Sequence, residues 1–171
     1  MINVEEEITA HAEFYESFNF NLSLLMKRYL KFKNISPYDK NTEVEWFTYF
    51  DCLITQFRAM FIENEQNKNN YTYQNFLNLY GKHEVVSAIN TYLNEPFINE
   101  DFFDFNGEIL TIRNAIKFVA DKFICHYDKT SLEERARQEL ISNTLSNVSN
   151  NSVNNLEIIL TKIFKMLKLK Q

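Results

Sequence analysis

Ile109-Leu-Thr-Ile-Arg-Asn-Ala-Ile-Lys-Phe-Val-Ala-Asp-Lys-Phe-Ile-Cys-His-Tyr127 is the stretch on which the fold turns. At about 100° per residue, Ile109, Ile112, Ile116, Val119, Ala120, Phe123 and Tyr127 share one face of a helix. Asn114, Lys117 and Asp121 lie on the other side, with Arg113 and His126 on opposite flanks. The spacing predicts a long amphipathic helix over 108–128, starting at Asn106-Gly107.

The same period recurs outward from this run. Residues 3–32 carry Phe14, Phe18, Leu22, Leu25, Met26, Tyr29 and Leu30 near helical spacing, with a break expected near Asn19–Asn21. Ser36-Pro37 reads as a loop, and Thr42-Glu-Val-Glu45 as a capping box that opens a helix over 43–64. That helix has Trp46, Phe50, Leu53, Phe57, Met60 and Phe61 on one face, and Asp51 and Arg58 together on its edge, as a pair at the rim of the core. Residues 63–70 are polar and read as a loop. Residues 71–80 suggest a short helix ended by Gly81, and 82–93 a helix that stops before Glu95-Pro96. Residues 97–105 form an aromatic, acidic loop pinned by Phe102, Phe103 and Phe105. Ser131-Leu-Glu-Glu134 is a second capping box, with a helix to about 145. Residues 143–155, dense in Asn and Ser, read as a mobile connection before a last helix over 153–169 that ends in Lys162, Lys165, Lys168 and Lys170. The expectation is an all-α, single-domain bundle over 1–171, of about five to seven helices.

Composition agrees. The 171 residues are enough for one domain with a real core. Only 2 Gly and 2 Pro leave little material for the turns of a β-sandwich or barrel, and 16 Phe point to a core rich in rings. A net charge of −5 disfavours a protein that coats nucleic acid, though not an enzyme that touches a short stretch of RNA. Cys52 and Cys125 follow no metal-ligand spacing and read as reduced thiols. The acidic N-terminus has no signal-peptide pattern and no apolar run reaches the length of a span, so a soluble, cytoplasmic protein is expected. Scattered histidines and scarce glycines give no metal site and no nucleotide-binding loop, so no cofactor is expected.

One run can carry chemistry: Val119-Ala-Asp-Lys-Phe-Ile-Cys-His-Tyr-Asp128. On a helix Lys122 lies one turn before His126, and Asp121 and Asp128 are close by. Histidine exchanges a proton near neutral pH. RNA cleavage needs a base to take the 2′-hydroxyl proton and a cation to steady the phosphorane charge, and no metal. His126 is the candidate base or acid, with Lys122 steadying charge and Asp121 or Asp128 orienting the ring. Arg58 and Arg113 are candidate phosphate contacts. Arg113 and His126 are about 20 Å apart along a straight helix and cannot act as one pair there.

Asp121-Lys122-Phe-Ile-Cys-His126-Tyr-Asp128, near the end of a long helix in an all-helical chain, resembles the motif of the HEPN superfamily. The branches linked to abortive infection and toxin–antitoxin systems are the most similar; they carry a run like Arg-Asp-Lys-x-x-Ala-His-x-Asp. The resemblance covers mainly residues 108–130. It implies a helical bundle, often a homodimer, whose paired motifs form a metal-independent ribonuclease cleft, or a degenerate RNA-binding relative. The family pattern places an arginine four to six residues before the histidine. Here those positions are Asp121, Ala120 and Val119, none of them arginine. The cation must then come from Lys122, Arg58, Arg113 or a second subunit, and loss of such a cation costs on the order of 10²–10³ in rate. The competing reading is a non-enzymatic helical interaction protein (an antitoxin, immunity protein or adaptor), which binds a basic protein partner through an exposed aromatic and acidic patch near Phe97 to Phe105.

Overall fold

A computed structural model describes residues 4–36, 38–63, 72–97, 109–124, 132–146 and 155–167. Within them the chain is all-α, with seven α-helices and two π-helical segments. The helices are α1 (Val4–Phe32), α2 (Glu43–Phe57), α3 (Tyr73–Leu79), α4 (His83–Leu93), α5 (Ile112–Phe118), α6 (Leu132–Ser146) and α7 (Asn155–Met166). The π-helical segments, here π1 (Arg58–Ile62) and π2 (Val119–Ile124), continue α2 and α5 directly. The only pairing of extended backbone among the described residues is an isolated bridge between Pro96 and Thr111.

α1 and α2 form an antiparallel pair. Phe32 packs on Trp46 and Phe50, and Trp46 stacks on Phe50 with ring centroids 5.4 Å apart. Gln56 donates to the Asn21 carbonyl at 2.7 Å and accepts from Arg28 at 2.7 Å, so its buried amide is satisfied at both ends. α5 packs on π1 while α2 packs on π2, so α5–π2 runs antiparallel to α2–π1. α6 and α7 close the bundle over π2, α4 and α1, with Tyr29 meeting Phe164 edge-on and bonding Thr161 at 2.9 Å.

All six apolar residues expected on the face of the second helix are buried: Trp46, Phe50, Leu53, Phe57, Met60 and Phe61. Ile62, which an unbroken helix would turn outward, is buried too. The reason is the π-turn: the Glu63 amide bonds the Arg58 carbonyl five residues back, so the turn holds one residue more than an α-turn.

Other expectations need correction. α1 does not break at Asn19–Asn21; the Asn19 and Asn21 amides donate to the Tyr15 and Ser17 carbonyls one turn back, and the helix passes through. Thr42 begins α2 without a capping box, because its hydroxyl donates to the Ser36 carbonyl instead. Hydroxyl caps occur elsewhere: Thr72 accepts from the Asn75 amide, and Thr111 from the Asn114 amide. The helix expected from 108 therefore begins at Ile112, and Ile109 is exposed. α6 extends through Ser146, so 143–146 belong to a helix and not to a connection. Gly81 ends the 73–79 helix with φ 67°, the left-handed conformation glycine favours. The capping box at Ser131 lies outside the described residues, as do Phe102, Phe103 and Phe105. Among the described residues no helix is long and apolar enough to cross a membrane.

Two consequences can be checked by urea denaturation. Leu53→Ala, at a fully buried position, is expected to cost about 2–5 kcal/mol. Thr111→Ala removes a real cap and should cost about 1 kcal/mol, whereas Glu45→Ala, with no capping box to lose, should stay within about 0.5 kcal/mol.

Candidate functional site

α2 and α5 each change from α to π where their polar residues must turn toward one another. On an unbroken helix Asp121 would lie about 180° from Ile112, away from the core. The π2 turn swings it toward α2–π1, where Arg58 is the first residue of π1. Arg58 Nε donates to Asp121 Oδ1 at 2.5 Å, and its Nη1 donates to Glu63 Oε1 at 2.5 Å. One guanidinium thus holds two carboxylates, from π2 and from the end of π1. The three side chains are 27%, 29% and 34% exposed, for Arg58, Asp121 and Glu63 respectively.

The charge of this cluster decides what it can do. Burial works against the Arg58 cation, but Asp121 and Glu63 outweigh it and raise its pKa above the ordinary arginine value. The guanidinium stays charged, and its charge is cancelled by its neighbours. Among the described residues Nη2 has no partner, and it is the edge of Arg58 on which a further acceptor can bind.

Asp51 does not pair with Arg58, contrary to the sequence expectation. The two lie about 10 Å apart along α2, and the π-turns offer Arg58 two nearer carboxylates. Asp51 has no hydrogen-bond or ion-pair partner among the described residues, and burial raises its pKa above the usual carboxylate value.

Arg113 goes elsewhere. Its Nη2 donates to Asn90 Oδ1 at 2.7 Å, on the last turn of α4, and its Nε to Asn94 Oδ1 at 3.2 Å, at the C-cap of that helix. Asn90 also accepts from Tyr73 at 2.8 Å and Gln74 at 3.2 Å. These partners are neutral, so the Arg113 charge is not cancelled. Arg113 is about 12 Å from Asp121 along the helix axis, and the two do not share a site.

The structure therefore brings together Arg58 and Asp121 of the sequence candidates and sets Arg113 in a separate amide cluster. His126 and Asp128, and the side chain of Lys122, lie outside the described residues. Two participants escaped the sequence reading. By sequence Glu63 reads as the start of a polar loop; its signal is its place five residues after Arg58, which matters only where a π-turn follows. Asn90 has none, because a single half-buried asparagine in a helix carries no pattern in the sequence. No group of three or more His, Cys, Asp and Glu that could hold a metal ion occurs among the described residues. Comparison with protein-family models, with curated proteins and with solved structures gives no match.

A double-mutant cycle on Arg58→Ala and Asp121→Ala is expected to give a coupling of about 0.5–3 kcal/mol by urea denaturation. Asp51 gives a pH test. Its folded pKa is raised, so the folded state binds the proton more tightly than the unfolded state. Stability from this group is present below about 3.8, its ordinary value, and is lost as pH rises through the raised folded value. Asp51→Asn should accordingly stabilise the protein at pH 7, and the gain over wild type should shrink toward zero below the ordinary carboxylate range.

Proposed function

We propose that this chain is a HEPN-like helical protein of a defence or toxin–antitoxin type, working as a metal-independent ribonuclease or as a degenerate RNA-binding relative. The observation that supports it is the approach of Arg58 to Asp121. The run from Asp121 to Asp128 has no arginine of its own at the family position, and a cation from another helix stands at its first residue. π-turns occur often at functional sites, and here one lies on each side of the contact.

In this reading His126 takes the 2′-hydroxyl proton and returns a proton to the leaving 5′-oxygen. Lys122 steadies the phosphorane charge, and Asp121 or Asp128 orients the imidazole. Arg58 organises Asp121 through its Nε and offers its Nη2 edge to a phosphate, and it acts more by position than as a bulk positive charge. Arg113, whose charge is not cancelled, is the better contact for a second phosphate along the strand. No cofactor is invoked; a homodimer and a cytoplasmic location complete the proposal.

The alternative, a non-enzymatic interaction protein, placed its binding patch near Phe97 to Phe105. Phe97 is 1% exposed and belongs to the core, so that residue lends the patch no support; the rest of the segment lies outside the described residues.

Controlled expression in a bacterial host separates the two. Wild type is expected to slow growth and degrade cellular RNA, and His126→Ala to abolish both. Healthy cells with intact RNA for wild type as well as variant would remove the ribonuclease reading. Retention of RNA binding by the purified protein would then leave the degenerate relative, and its loss would remove the proposal altogether.

A further inference from the structure

Arg113 is held in a way that leaves both its charge and one edge of its fork unused. Nε and Nη2 form one edge of the guanidinium, and Asn94 Oδ1 at 3.2 Å and Asn90 Oδ1 at 2.7 Å take it up. The other edge, Nη1 with the second hydrogen of Nη2, meets no acceptor among the described residues. The Asn90 amide is fixed with its oxygen toward Arg113, because Tyr73 and the buried Gln74 donate to the same atom at 2.8 and 3.2 Å. All of these partners are neutral. Taking a cation partly out of water without a counter-charge is costly, and half-buried Arg113 is anchored by groups that leave its charge available. A second cation stands beside it. Lys117 lies one turn on along α5, about 6 Å up the axis and about 40° round from Arg113, and it is exposed. Helical side chains lean toward the helix N-terminus, so Lys117 leans over Arg113. The nearest carboxylates in the chain are engaged elsewhere: Asp121, four residues beyond Lys117, is on Arg58, and Glu95, next to Asn94, bonds Lys162 at 3.2 Å. Among the described residues neither Arg113 nor Lys117 forms an ion pair.

An anchored fork with a free edge is shaped for an oxyanion, since two oxygens of one phosphate match Nη1 and Nη2 in the bidentate pairing. The second cation decides which phosphate. A diester in the middle of a strand carries one negative charge and has only two free oxygens, both used by the fork. A phosphomonoester carries about −1.5 to −2 at pH 7 and has a third oxygen for Lys117. Two uncancelled cations match that charge. We propose that Arg113, Lys117, Asn90 and Asn94 form a binding site for a phosphomonoester, borne by the end of an RNA strand or by a free nucleotide. Arg113 is about 12 Å along the helix axis from Asp121, so one short strand ending here also reaches the run that Asp121 heads. The inference deepens the RNA reading by naming the phosphate, and it rests on that reading for the strand end alone.

The test uses the full chain and a short base-labelled 2′-O-methyl oligonucleotide, which has no 2′-hydroxyl and so survives the proposed cleavage. It is made with hydroxyl ends, with a 5′-phosphate and with a 3′-phosphate, and binding is followed by fluorescence anisotropy. Calorimetry compares 5′-AMP with adenosine. Wild type is expected to bind a phosphate-ended strand about tenfold more tightly than the hydroxyl-ended one, which is about 1.4 kcal/mol. Arg113→Lys keeps the charge without the fork and should erase the preference. Asn94→Asp keeps the arginine but sets a counter-charge on its Nε; it strengthens the anchor and should still erase the preference, which a merely structural Arg113 would not do. Lys117→Gln should reduce it. Lys27→Gln/Lys31→Gln is the control, since it removes two exposed lysines of the same spacing on α1 and should leave the preference intact. Circular dichroism melts establish that each variant is folded; without Arg113, Asn90 keeps its bonds from Tyr73 and Gln74. Preference for AMP over adenosine, with all strands bound equally, assigns the site to a free nucleotide. No strand binding with AMP still preferred keeps the site and removes the RNA reading. Equal binding of all strands, together with equal binding of AMP and adenosine, overturns this inference and leaves the RNA reading standing. A preference that survives Arg113→Lys and Asn94→Asp, or that falls as far in the Lys27 and Lys31 control, would also overturn it. So would a phosphoserine peptide that binds where neither phosphate-ended strand nor AMP is preferred.

Discussion

The contact between Arg58 and Asp121 is the constraint around which the two central helices are arranged. It joins α2–π1 to α5–π2, the pair that runs antiparallel through the middle of the bundle. Arg58 leaves the end of α2; the π2 turn swings Asp121 toward it, and the π1 turn brings Glu63 back to it. A half-buried guanidinium with no counter-charge would be costly, and the contact also fixes the relative register of the two helices. The apolar contacts around it, with Phe57 stacked on Phe61 and Phe61 on Tyr73, fill the space on the core side of π1.

The two arginines singled out in the sequence have opposite electrostatic fates. Arg58 is matched by two carboxylates and gives its neighbourhood no net positive charge. Arg113 is held by neutral amides, which orient it without cancelling it. A chain of net charge −5 needs local positive potential to hold RNA, and in the described residues Arg113 supplies more of it than Arg58. The role of Arg58 in the proposed chemistry is therefore one of position: it holds Asp121, and through Asp121 the head of the run that contains His126.

Most of the fold was legible because apolar periodicity reports burial directly. The ring-rich face of α2, the stop before Glu95-Pro96 and the glycine that ends α3 all follow from period and turn chemistry. The failures share a physical origin in competing hydrogen bonds. Thr42 had two carbonyl acceptors within reach and donated to them instead of capping, while Thr72 and Thr111, in ordinary-looking context, became the caps. Asn19 and Asn21 look like helix breakers until their amides find carbonyls one turn back. The π-turns have no composition signal, so a wheel drawn at 3.6 residues per turn misplaces everything after them: Ile62, Glu63 and Asp121. The site was legible as residue types near one another in sequence. The partner of Asp121 was not, because it comes from 63 positions away.

The central claim of the proposed function is that Arg58, through its contact with Asp121, sets the charge that His126 meets. An NMR titration of the His126 imidazole in wild type and in Arg58→Gln tests it directly. Removing the cation takes the counter-charge from Asp121, so the account predicts a higher His126 pKa in the variant. An unchanged His126 titration, in a variant shown to be folded, would contradict it.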